Sequence, residues 1–278
     1  MHVLIIHDDD QDGWCAAAIA KKYYSSTKGT TIDLAVDTDE IDYDNCDADT
    51  IVFLDHTPAS SRVDALTSEG KLVWIFDHHP ETMEQIKSKS DNLNVDYRED
   101  WSTAKIAWNH FFTDKKVPFT VTMINKWDSW NHDEENILPF HYGLASMDLS
   151  DERLWDALLF ADNDQAAIQI TQMGNALGQF WLATINELTD STAWVVEKEG
   201  IRYSVCNSQL TSSYDLMSHI KRNDCQGAVW FYNENNGTEK TWKVVVKVLP
   251  DTDRKSVSRK ELLTYDQLKD SWINKESK

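Results

Sequence analysis

Short apolar runs punctuate the first half of the chain, at residues 3–6 (VLII), 32–36 (IDLAV), 51–54 (IVFL) and 72–76 (LVWIF). Runs of four or five residues rich in Val, Ile, Leu and Phe read as strands buried on both faces, the habit of parallel sheets. Between them lie helical stretches. Residues 14–24 (WCAAAIAKKYY) are Ala-rich and free of breakers, residues 60–68 open on two serines, and residues 81–88 come after Pro80, which suits a first helical turn. Strands alternating with helices predict an open, mostly parallel α/β sheet.

After residue 100 the period lengthens. Ala104, Ile106, Ala107, Trp108 and Phe111 recur at helical spacing, with Ser102 or Thr103 placed to cap them. Residues 151–160 and 166–188 also read as helices, and Gly174 and Gly178 predict a bend in the second. Strand-like runs return at 201–206, 228–232 and 242–249, with a helix expected over 213–222. This pattern divides the chain into an α/β domain over 1–165, a helical connector over 166–195 and a second, smaller α/β domain over 196–278.

The charge narrows the partners. Lys and Arg number 27 against 47 Asp and Glu, a net charge of −20. Such a chain lacks the broad positive field that holds proteins to long duplex DNA. The hydrophobic fraction of 41% is enough to build a core. Cys15, Cys46, Cys206 and Cys225 form no C-x-x-C pair, so neither a zinc ribbon nor a dithiol motif is expected. The apolar run at residues 3–6 is too short for a signal-peptide core, and no run approaches the ~20 residues of a membrane span. A cytoplasmic protein without membrane association is the expectation.

The chemistry lies just past the strand ends: His7-Asp8-Asp9-Asp10-Gln11-Asp12-Gly13 after the first run, Asp55-His56 after the third, and Asp77-His78-His79 after the fourth. In open α/β sheets, sites form beyond the carboxyl ends of the strands. So many anions at one rim repel one another unless a cation offsets them, which points to a metal site with more than one ion. Carboxylate and imidazole without thiolate suit Mn²⁺, Mg²⁺, Fe or Zn²⁺. Two ions bridged by a carboxylate are a common plan for phosphate ester hydrolysis. The run Asp8-x-Asp10-x-Asp12-Gly13 imitates an EF-hand loop, but that loop needs a Glu at its twelfth position, here Ile19.

Strand, H-x-x-D-x-D-G, a later strand ending in Asp, then D-H-H, with Asp128 after a helical stretch (KWDSW), resembles the DHH phosphoesterase superfamily. The resemblance implies that His7, Asp10 and Asp55 hold one ion and that Asp12, Asp55, His78 and Asp128 hold the other, with Asp55 as the bridge. It implies that His79 contacts the phosphate, and it favours two Mn²⁺ ions, with Mg²⁺ or another divalent ion as substitute. Asp77 is expected to orient the two imidazoles, and Gly13 to let the backbone turn under the phosphate.

Residues 200–213 resemble the start of the superfamily's substrate-binding domain (DHHA1-like), but no Gly occurs after Gly237, so its usual Gly-rich segment is absent or replaced. Arg254, Lys255, Arg259 and Lys260 are the replacement considered, as cations aimed at a phosphate. The resulting expectation is a Mn-dependent phosphodiester hydrolase acting on short oligonucleotides or cyclic nucleotides, with His79 and Asp55 as its catalytic groups. A pyrophosphatase or exopolyphosphatase and a non-catalytic nucleotide-binding protein are the alternatives.

Overall fold

The computed structural model describes residues 1–37, 46–129, 131, 135–208, 216–235, 240–248 and 257–263. The chain divides into two compact units, Met1–Gly178 and Gln179–Lys278.

In the first unit, β1 (His2–His7), β2 (Thr31–Val36), β3 (Thr50–Leu54), β4 (Leu72–Asp77) and β5 (Leu93–Tyr97) form a parallel sheet of order β2-β1-β3-β4-β5. Side chains alternate between two cores. Val3, Ile5, Val52, Leu54 and Phe76 enter one, while Leu4, Ile6, Ile51, Phe53, Val73 and Ile75 enter the other. Both faces of each central strand are therefore apolar, which produces the unbroken runs in the sequence. Each of these side chains contributes about 1.5–3 kcal/mol by its burial.

The helices of this unit are α1 (Gln11–Ser25), α2 (Ser60–Ser68), α3 (Pro80–Gln85), α4 (Thr103–Phe111), α5 (Phe119–Asp128), α6 (Ile137–Ala145) and α7 (Glu152–Leu159). The first core takes residues from α1, α4, α5, α6 and α7, and the second takes Val63 and Leu66 of α2. Helix α1 begins before the apolar stretch that predicted it, because the Asp10 carboxylate caps it by accepting from the Asp12 and Gly13 amides, each at 2.9 Å. Ser102 caps α4 and Asp151 caps α7. Strand β5, an edge strand with no fully buried residue, reads LNVDY and so lacks a continuous apolar run to mark it.

Helix α8 (Gln165–Thr192) is a single helix, and its glycines serve close packing. A Cβ on Gly174 would stand 1.7 Å from the Pro139 carbonyl oxygen, and one on Gly143 of α6 would stand 2.1 Å from that of Ile170. The missing side chains let the two helix backbones approach.

In the second unit, β6 (Trp194–Lys198), β7 (Ile201–Cys206), β8 (Gly227–Asn235), β9 (Lys240–Val248) and β10 (Val257–Leu263) form a sheet of order β10-β9-β8-β7-β6. Strands β7 and β8 run parallel and the other neighbours antiparallel, and α9 (Met217–Arg222) lies between β7 and β8 in sequence. The helix expected over 213–222 is seen from residue 217, its first residues lying in part outside those described. Arg259 and Lys260 stand on β10, paired with Val246 and Val245 of β9. Arg254 and Lys255 lie outside the described residues. No described helix is long and apolar enough to cross a membrane.

Candidate metal centre

The sheet order places β1 between β2 and β3, so successive connections leave it in opposite directions and open a crevice at the carboxyl ends of β1 and β3. His7 ends β1, Asp55 comes directly after β3, and Asp77 ends β4. Asp55 adopts φ 59°, a left-handed conformation that Asp tolerates better than most residues. Its amide donates to the Phe76 carbonyl at 3.0 Å, which fixes this turn against β4.

Three sets of ligating atoms converge, the atoms of each lying within 4.8 Å of one another: Asp12, His78 and Asp128; Asp55, His78 and His79; and Asp8, Asp10 and Asp55. Five of the six ligands expected from the sequence, Asp10, Asp12, Asp55, His78 and Asp128, fall within them. His7 is in none of the three. Asp8, left outside the ligand set by the sequence reading, stands with Asp10 and Asp55, and the surplus of aspartates in one loop was its signal.

The donor chemistry fits divalent ions. The His7 imidazole is fully buried, and its Nδ1 lies 2.8 Å from the Asp8 carbonyl oxygen, an acceptor. Nδ1 therefore carries the proton and Nε2 keeps its lone pair. That Nε2 is buried without a hydrogen-bond partner among the described residues, as are His78 Nε2 and Asp128 Oδ2. The last two lie 3.0 Å apart, close enough to attract but without hydrogen-bond geometry. Ligand atoms that face one another in this way are placed to share a cation.

The electrostatics agree. Burial, then the charge of Asp12, push the Asp10 carboxyl up to about 7. Burial raises Asp55 to about 6 against the lowering influence of His78. Asp12 is raised well above the ordinary carboxylate range by burial and by Asp55 and Asp128. Burial lowers His78, but the facing carboxylates of Asp128 and Asp55 outweigh it and carry the imidazole to about 12. Without a metal, protons offset the crowded negative charge.

Neighbouring groups hold the ligands. Both Asp12 oxygens accept from the start of α4, from the Thr103 amide at 2.6 Å and the Ala104 amide at 2.9 Å. The Thr103 hydroxyl donates to Asp55 Oδ1 at 3.0 Å. Asp77 orients one of the two imidazoles, that of His79, and the backbone of the D-H-H segment: its Oδ1 accepts from the His78 amide at 2.7 Å and lies 2.8 Å from His79 Nδ1, while its Oδ2 accepts from the Thr57 and Thr82 hydroxyls. Burial raises Asp77, but these bonds hold it well below the usual carboxylate range. His79, whose side chain is half exposed, remains open to a ligand.

Gln11 donates through Nε2 to the His141 carbonyl at 3.0 Å, and the His141 ring stacks at 3.6 Å on Trp127, the residue before Asp128. Neither this clasp nor the role of Thr103 was legible in the sequence. Gly13 does not turn the backbone: it lies inside α1, and a Cβ there would stand 2.2 Å from the Asp8 carbonyl oxygen. His56, beside Asp55, pairs with Asp37 at 2.9 Å.

Fold and site together define an open α/β domain with a carboxylate and imidazole cluster at its switch point. Residues 2–126 match the DHH family, N-terminal domain. No curated protein matches the chain. Among solved structures, the DHH domain of a member of a family of ribosomal proteins is similar at a TM-score of 0.51 and 10% identity, over 89% of this chain and 73% of that one. RecJ from Thermus thermophilus, solved in complex with Mn²⁺, is similar at a TM-score of 0.51 and 12% identity, over 89% of this chain and 45% of RecJ. At these identities the likeness is one of fold.

Proposed function

We propose that the protein is a phosphodiester hydrolase dependent on two divalent ions, Mn²⁺ foremost, acting on short oligonucleotides or cyclic nucleotides. The observation that carries this reading is the convergence of Asp8, Asp10, Asp12, Asp55, His78, His79 and Asp128 on one rim, with three buried ligand atoms lacking a hydrogen-bond partner among the described residues. His7, Asp10 and Asp55, joined by Asp8, would hold one ion. Asp12, Asp55, His78 and Asp128 would hold the other, with Asp55 shared. When bound, such ions supply Lewis acidity to phosphoryl oxygens and acidify water.

The chain's own groups supply position and charge. His79, raised to about 9 by Asp77 and Asp55 despite burial, is cationic at neutral pH and half exposed, suited to contact a phosphoryl oxygen. Asp77 fixes its ring, and Thr103 fixes the shared carboxylate. The net charge of −20 supports small phosphate substrates over long duplexes, and RecJ, which shares the fold, was solved with Mn²⁺.

The test is hydrolysis with Mn²⁺ across dinucleotides, cyclic dinucleotides and pyrophosphate, with chelator as control. Mononucleotide release, lost with chelator, is expected. Orthophosphate release from pyrophosphate alone would move the assignment to a phosphoanhydride hydrolase, and binding without turnover would make it a nucleotide-binding protein.

A further inference from the structure

A cavity of about 530 Å³ lies in the first unit, between the loop after α4 and the loop after α7. It is remote from the candidate metal centre. Thr103 is the first residue of α4 and this loop leaves its last, so at about 1.5 Å per residue the helix separates them by about 13 Å. The volume is that of a small-molecule site, usually about 300–1,000 Å³. The Thr120 hydroxyl of α5 donates to the Leu158 carbonyl of α7 at 3.1 Å and ties the two sides together. Much of the lining is aromatic. The rings of Trp108 and Phe160 stack with centres 5.9 Å apart, and Phe119 adds a third.

The donors of this cavity are unsatisfied. Trp108 is 3% exposed, yet its Nε1 has no hydrogen-bond partner among the described residues. A buried indole N–H normally finds one, as that of Trp155 does on the Leu149 carbonyl at 2.7 Å. Helix α5 starts at the cavity wall with Pro118 as its N-cap, and no side chain caps it. The first-turn amides of Phe119, Thr120 and Val121 meet no acceptor among the described residues. That end of a helix favours negative charge.

The cations agree. Lys21 and Lys22 each meet a carboxylate, Glu152 at 2.6 Å and Asp156 at 2.7 Å. Lys115 and Lys116, on the cavity wall, meet none among the described residues, although the net charge of −20 makes acid partners abundant. The Lys115 ammonium lies 4.7 Å from the centre of the Phe112 ring, whose π face holds it and leaves its N–H donors available. Asp162 and Asp164 line the opposite loop, so the end of a ligand that faces them is neutral or cationic.

We propose that this cavity binds a small aromatic oxyanion, a phosphate or carboxylate carried on a flat ring. The oxyanion accepts from Lys115, Lys116 and the first turn of α5, with the Trp108 N–H as a further donor. The ring packs on the aromatic lining. The site is separate from the metal centre, and the inference does not depend on the phosphodiesterase reading.

The test is calorimetric titration of the full chain, Mn²⁺-loaded and in chelator, with phenyl phosphate, benzoate and phenol. In chelator, one of the two oxyanions should bind at one site per chain about tenfold or more tightly than phenol. Which of them does so identifies the source of the charge. K115A/K116A and W108F should each weaken it about tenfold, and D55N, altered at the metal centre, should leave it unchanged. The overturning results are oxyanions that bind no better than phenol, an affinity unchanged in either cavity variant, or binding lost in D55N, which would move the anion to the metal centre. Thermal midpoints confirm that the variants are folded.

Discussion

The Thr103 hydroxyl donates to Asp55 Oδ1 at 3.0 Å, while the Thr103 amide donates to Asp12 at 2.6 Å. One residue at the start of α4 therefore holds a carboxylate from β3's end and another from α1. Thr103 is a positioning residue for the candidate metal centre. Thr103→Val keeps the shape and removes a buried bond to a charged acceptor, of a kind that contributes about 1.5–3 kcal/mol. Divalent affinity, read by calorimetric titration, should fall about 10- to 100-fold, and Thr103→Ser should restore most of it. Unchanged affinity in the valine variant would remove Thr103 from this role.

Asp55 belongs to two of the three converging sets. Asp55→Asn keeps its size but removes the negative charge that two ions would share. Both metal content, by elemental analysis, and turnover should fall, the latter by more than about 100-fold. A variant that keeps full metal and full activity would place the shared ligand elsewhere.

The metal-free protein should lose stability as pH rises from about 4 to 9. Asp10 is raised from 3.8 to about 7 and Asp55 to about 6, so the folded state holds protons that the unfolded state has released. His79, raised from 6.5 to about 9, extends the same sign to higher pH. The stabilisation of each raised group is complete below its unfolded pKa and is lost as pH passes its folded one. Asp77, held low, acts oppositely below the ordinary carboxylate range, and His7, His110 and His219, lowered by burial, act oppositely at the acid end of the window, against the larger upward shifts of the cluster. Thermal midpoints in chelator should therefore decline between about pH 5 and 8.5. Saturating Mn²⁺ should raise the midpoint more at about pH 8 than at about pH 5, because the ion replaces the bound protons. A chelated midpoint that climbs across this range would contradict the electrostatic account.

Gly174→Ala should destabilise the first unit by about 1–3 kcal/mol. The added methyl would meet backbone, the Pro139 carbonyl oxygen at 1.7 Å, which cannot turn aside as a side chain can. The urea midpoint should fall with an unchanged slope. An unaltered midpoint would mean that α6 and α8 separate freely.

The sequence by itself determined the parallel sheet of the first unit, because a strand buried on both faces must be apolar at nearly every position, and the central stretches of β1, β3 and β4 are. It also determined which strand ends carry the candidate ligands, since His7, Asp55 and the Asp77-His78-His79 run break those apolar stretches abruptly. Strands β5, β6 and β10 stayed hidden, as short or edge segments whose pairing depends on neighbours distant in sequence. Only the tertiary structure joined Asp8 to the ligand set, brought Thr103 to Asp55, stacked His141 on the neighbour of Asp128 and placed Lys105 over Trp101. Those relations depend on distance and direction across the fold, and a linear pattern records residue type and spacing but not which side chains meet.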